Sequence, residues 1–131
     1  MKYKGKMDEP CIEICDAMNE IEGVETFESC CGHSKHTFRV FFTITNSRGV
    51  YAVLRANDPR YGGPEWRCEA STTDLPETCV CLCLESRTHG AKAYEESKLI
   101  AENIKDILND RVICEMFNIR RKNENNYNKC R

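Results

Sequence analysis

The sequence predicts an α+β fold in the order α-β-β-α-β-β-α, with a mostly antiparallel four-stranded sheet carrying its helices on one face. Three observations predict it. Phe38, Val40, Phe42 and Ile44 alternate cleanly through residues 37–45, the period of a half-buried strand. Cys11, Ile14, Cys15, Met18 and Ile21 recur at helical spacing, as do Tyr94, Ser97, Ala101, Ile104 and Leu108. The strand-like runs come in pairs separated by turn residues, which suits antiparallel neighbours rather than parallel crossovers.

Taken in order, Asp8 is a good N-cap and Pro10 is tolerated in the first turn of the opening helix, which Gly23 ends. Residues 24–29 form a short strand, the loop Cys30-Cys31-Gly32-His33 follows, and residues 37–45 return. Asn46 and Ser47 cap a second helix with Val50, Val53 and Leu54 on one face; a strand over 50–55 is the competing reading. Asp58-Pro59-Arg60-Tyr61-Gly62-Gly63-Pro64 is dense in breakers and forms a loop. A third strand over 66–72 has Trp66, Cys68 and Ala70 facing one way. Residues 74–77 turn the chain into a fourth strand, 78–85, where Cys79, Cys81 and Cys83 oppose Val80, Leu82 and Leu84. Burial on both faces makes that strand central. Residues 86–90 lead into a long helix over 91–109. Residues 112–119 are apolar enough to dock, and an exposed stripe there would favour a homodimer. The domain is expected to span 1–119, with 120–131 a polar, basic, mobile tail.

The chain has 131 residues, enough for one core, and a formal net charge of −2, so no global field points to nucleic acid or a membrane surface. The basic start runs into acidic and proline residues rather than an apolar stretch, so no signal peptide is expected. No apolar run approaches the ~20 residues of a membrane span. Ten cysteines in so short a chain would suggest a disulfide framework outside the cell. Without a leader the expectation is a cytoplasmic protein with reduced thiols, most of them packing as small apolar groups.

Strand directions then gather the chemistry. If the first strand rises, the loop at 30–36, the loop at 58–64 and the turn at 86–90 all lie at the top, with the N-termini of the first and third helices. That end collects Cys30, Cys31, His33, Lys35, His36, Arg60, Tyr61, Trp66, Arg87 and His89, with Asp58 and Glu65 as acidic partners, and it holds every histidine of the chain. Three chemistries compete there. Zinc would use Cys30, Cys31, His33 and His89 or His36, although adjacent cysteines cannot easily present both sulfurs to one ion. Thiol catalysis would use Cys30 or Cys31 with His33 or His89 as base. Non-covalent capture of a small anion, of nucleotide or nucleotide-derived type, would use Lys35, Arg60, Arg87 and the helix starts on phosphates, with Trp66, Tyr61 or an imidazole of His33, His36 or His89 stacking on a base. Capture uses the most residues and is the expectation; the protein is then a binding protein rather than an enzyme. The blander alternative is that Trp66 is core, the arginines are solvated and Gly32 serves a turn.

The stretch Gly23-Val24-Glu25-Thr26-Phe27-Glu28-Ser29-Cys30-Cys31-Gly32-His33 resembles a G-V-x-T-x-x-S-C-C-G-H pattern in a group of small prokaryotic and phage-associated proteins, and the segments at 58–61, 66 and 84–86 are similar to that group too. The phage association implies a trap for a host immune signal of nucleotide type, which needs no catalysis. A fainter resemblance is to the methyltransferase family of wybutosine synthesis in transfer RNA, carried by Thr26, Ser29, Cys30 and Gly32. Cys31 and His33 replace that family's small residue and arginine.

Overall fold

A computed structural model describes residues 7–70 and 80–122. The turn at 74–77, Cys79, both inner strand ends and the tail beyond 122 lie outside the described residues. The order is α1 (Glu9–Asn19), β1 (Val24–Cys30), β2 (Thr37–Ile44), α2 (Ser47–Asn57), β3 (Arg67–Ala70), β4 (Val80–His89), α3 (Ala91–Asn109) and α4 (Arg111–Phe117). The sheet order is β1-β2-β4-β3 and every pairing is antiparallel. The predicted α+β architecture is the one observed, and β4 is central as expected; α4 is added from the apolar segment left without a type.

The core lies between one sheet face and the helices. Phe38, Val40 and Phe42 point into it from β2, and Leu84 from β4. The first helix supplies Cys11, Ile14, Cys15 and Met18. Ala93, Ser97, Ile100, Ala101, Ile104, Ile107 and Leu108 line the inner side of α3, close to the stripe its spacing predicts. Buried Thr26 is satisfied by the Asn19 amide, which donates to its hydroxyl at 2.8 Å and accepts its N–H at 2.8 Å, latching α1 to β1.

Four expectations are corrected. First, α2 is a helix capped by Asn46, whose side chain accepts the Arg48 N–H, but its buried face is Gly49, Ala52, Val53 and Ala56, and Leu54 is exposed. Small residues win that face because α2 lies against α3. Second, β4 continues to His89, so residues 86–89 are strand, and Ser86 fastens the extension by accepting the Phe38 N–H and donating to the Thr88 carbonyl. Third, Cys81 and Cys83 pair with Thr43 and Phe41 on the face away from the helices rather than in the main core. Fourth, residues 120–122 belong to the fold: Glu22 N–H donates to the Arg120 carbonyl, Lys122 N–H to the Glu20 carbonyl, and Lys122 Nζ to the Val24 carbonyl. In α4, Phe117 stacks on Tyr51 at 4.2 Å, while Val112 and Met116 are 65% and 70% exposed.

Candidate functional site

Antiparallel pairing sends β1 up, β2 down, β4 up and β3 down, so the turns after β1, before β3 and after β4 do share one end of the sheet. Residues 33–37 touch residues 89–94 there: Thr37 pairs with His89, and the Ser34 hydroxyl lies 3.3 Å from that of Tyr94. The expected convergence therefore holds, but it yields three separate clusters rather than one pocket mouth.

The first cluster sits over the start of α1. The cap residue Asp8 makes no side-chain bond to its own helix; its carboxylate accepts the Cys31 N–H at 3.2 Å and lies 3.7 Å from His33 Nε2. Cys31 Sγ is 3.8 Å from His33 Nδ1, and the Tyr94 hydroxyl donates toward the same sulfur at 3.7 Å. The ligand-type atoms of Asp8, Cys31 and His33 all lie within 4.8 Å of one another, so among the described residues a possible metal-binding trio exists. A turn with positive φ at Gly32, His33 and Ser34 swings the imidazole back over the helix, and Gly32 is required because a Cβ there would stand 2.7 Å from the Thr37 carbonyl oxygen.

The predicted ligand set divides at this point. Cys30 ends β1 opposite Arg39 and its sulfur takes the Gly32 N–H, whereas Cys31 turns into the core. Cys31 has already left the strand, with the helical backbone angles φ −77 and ψ −3 as the chain enters the turn, which is why the two thiols part. His89 is also removed from the set, since it stands in the second cluster.

That second cluster is an open groove of about 500 Å³ lined by Lys35, His36, Thr37, Arg39 and His89. Its lining includes the cations Lys35 and Arg39, and Glu85, the cross-strand partner of Arg39, is an acidic group beside it. Thr37 is tied down by donating to Glu85 at 2.5 Å. Arg39 has a buried Nε with no hydrogen-bond partner among the described residues. Sequence reasoning passed over Arg39, although the alternation that buries Phe38 and Val40 already puts it on the opposite face; Asp8 was read only as a cap and Tyr94 only as part of a stripe.

The third cluster absorbs the remaining expected ligand contacts. Asp58 accepts the Arg60 backbone N–H and its guanidinium, at 2.7 Å for Nη2, and this partner holds the carboxyl below its ordinary range. The Arg55 guanidinium lies 3.8 Å over the Tyr61 ring. Arg87 Nε donates to the Glu65 carbonyl at 2.8 Å and so anchors the loop. Trp66 is 3% exposed, packs on Phe38 at 5.3 Å and donates from Nε1 to Glu96, so the expectation that it stacks on a ligand is corrected: it is a core ring. Arg60, Tyr61 and Arg87 are engaged locally and do not line the groove.

No family model, curated protein or solved structure matches this chain. Among the described residues no helix is long and apolar enough to cross a membrane.

The deeper thiols behave as packing groups. Burial pushes Cys11 up to about 12, against a hydrogen bond from Ser29 that lowers it, and pushes Cys15 up to about 11, against bonds from Ser29 and Thr26. Unfolded thiols ionise near 9.0, so their contribution to stability is fully present below pH 9 and is lost as pH rises toward 12, where the unfolded chain binds fewer protons. Thermal melts are expected to fall across that window, and Cys11→Ala to flatten the fall; a curve unchanged by that substitution would contradict the assignment. Lys122, lowered by burial, works in the opposite direction.

Proposed function

We propose that the protein is a non-enzymatic binding protein that captures a small anionic, nucleotide-derived molecule in the groove of Lys35, His36, Thr37, Arg39 and His89. The observation that carries this reading is the buried, unpartnered Nε of Arg39. A buried guanidinium N–H without an acceptor is costly, and a phosphate or carboxylate held by half-buried Arg39 at the groove would relieve that cost once the side chain turns its Nε outward. Lys35 adds charge, the Thr37 hydroxyl is already spent on Glu85, and the rings of His36 and His89 offer flat surfaces to a base. The resemblance of residues 23–33 to a pattern in phage-associated proteins is what suggests a trap for a host nucleotide signal, since sequestration needs affinity and no catalytic group.

Isothermal titration with inorganic phosphate and a panel of linear and cyclic nucleotides tests the reading. Heat is expected with at least one nucleotide, with binding weakening as salt rises. Hydrogen bonds to charged groups contribute about 1.5–3 kcal/mol, so Arg39→Ala is expected to weaken binding roughly ten- to a hundredfold while the melting temperature stays nearly constant. Absence of heat across the whole panel removes the proposal. The rival is a zinc- or thiol-dependent enzyme, which draws on Asp8, Cys31 and His33 instead. A retained organic anion in native mass spectrometry favours capture, whereas alkylation of Cys31 by iodoacetamide far faster than a free thiol at neutral pH favours the enzyme.

A further inference from the structure

The trio over α1 stands apart from the groove and is made of different donors. It offers one carboxylate oxygen, one sulfur and one imidazole nitrogen, drawn from the helix cap and from the turn after β1. We propose that Asp8, Cys31 and His33 form a three-ligand site for a borderline divalent cation of the zinc class, with the fourth position left to solvent or an incoming donor.

Two chemistries could use this trio, and burial decides between them. As a nucleophile, Cys31 would have to meet a substrate carbon, yet the residue is 4% exposed and its sulfur lies beneath the imidazole and the Tyr94 hydroxyl. An ion needs only one open side of the sulfur, and that side faces His33 and Asp8. In a tetrahedral zinc site, with bonds of about 2.0–2.3 Å, neighbouring donor atoms lie roughly 3.2–3.7 Å apart. With one ligand atom from each residue the three donors lie within 4.8 Å of one another, about 1 Å wider at most than that spacing, a gap that a turn of the His33 side chain closes.

One adjustment is required. A single imidazole gives one nitrogen to one ion, whereas the ring now shows Nδ1 to the sulfur and Nε2 to the carboxylate. His33 can make the change because its side chain is 69% exposed and no core residue clamps it. The other two ligands are held by their neighbours: the Cys31 N–H fixes the Asp8 carboxylate, and the Tyr94 hydroxyl points at the Cys31 sulfur. Such outer contacts commonly change metal affinity by about 10–100-fold. Softness of the sulfur and imidazole argues for zinc or cobalt over magnesium or calcium, which take all-oxygen sets.

The test uses the full chain, stripped with a chelator and kept reduced, and titrated with Co(II). The expected result is one equivalent of cobalt bound with a thiolate-to-cobalt charge-transfer band, displaced by zinc and not by magnesium. Cys31→Ser is expected to abolish that band. His33→Gln, at an exposed position, is expected to weaken binding at least tenfold with melting of the metal-free protein unchanged. Asp8→Asn keeps an acceptor for the Cys31 N–H and is expected to weaken binding similarly, while Tyr94→Phe retains the band at lower affinity. A band that survives Cys31→Ser, or affinity unmoved by His33→Gln, overturns the site. Nucleotide titration reads the groove independently, so either proposal can fail alone.

Discussion

Trp66→Ala is expected to lower folding stability by about 3–5 kcal/mol, the range for deleting a large buried aromatic side chain. The ring is packed at 5.3 Å from Phe38, and its Nε1 donates at 3.0 Å to Glu96, which also takes the Thr88 hydroxyl at 2.7 Å. The Asn57 side chain holds the Trp66 backbone at both ends, accepting its N–H at 2.7 Å and donating to its carbonyl at 2.8 Å. Truncation therefore opens a cavity and leaves a carboxylate with one donor fewer. Trp66→Phe isolates the second effect, with an expected loss of about 1–3 kcal/mol. Urea denaturation measures both. If Trp66→Phe weakened nucleotide binding while leaving the denaturation midpoint unchanged, the ring would be a ligand contact and its core role would be wrong.

Gly63→Ala is expected to cost about 3 kcal/mol, the upper part of the range for overpacking. A Cβ there would stand 2.2 Å from the Asn57 carbonyl carbon and 2.4 Å from its oxygen, and both are backbone atoms that no side-chain rotation can move. That same oxygen accepts the Glu65 N–H at 2.9 Å, so displacing it loosens the clamp on Trp66 from the other side. The adjacent Gly62→Ala gives the contrast. Gly62 has φ +87 but open space around it, so only backbone strain is incurred, about 1–2 kcal/mol. Equal midpoint shifts for the two variants would show that the close approach at Gly63 is not what constrains this loop.

The parts of the fold legible in sequence were those set by periodicity. Phe38 to Phe42 announced β2, the stripe from Ser97 to Leu108 announced α3, and pairing of neighbouring strands gave the directions that bring the three turns together. What periodicity does not carry is which side a turn residue faces. Cys30 and Cys31 are adjacent, yet one ends a strand beside Arg39 and the other enters the core, and no spacing rule reveals where that parity changes. Trp66 looked like a stacking platform because it follows a breaker-rich loop; its burial comes from Asn57, nine residues earlier, a local side-chain contact invisible to pattern. Asp8 fitted a cap so well that its second use, reaching 23 residues along the chain to Cys31, left no trace in composition. Apolar α4 was legible as a docking segment but not as one that leaves Val112 and Met116 facing solvent. Those two side chains keep self-association open to measurement by analytical ultracentrifugation, where a monomer at all concentrations would remove the homodimer expectation.

The junction of residues 120–122 with residues 20–24 bears on how the protein is born. Its partners are separated by nearly the whole chain, 98 positions in the case of Lys122 and Val24, and α1 rests chiefly on α3. A ribosome adding ~5–20 residues per second leaves the apolar side of α1 without that cover for roughly 5–20 s. Ile14 and Met18 are thus made well before the helix that shields them, which makes nascent α1 the natural place for a chaperone to hold this protein.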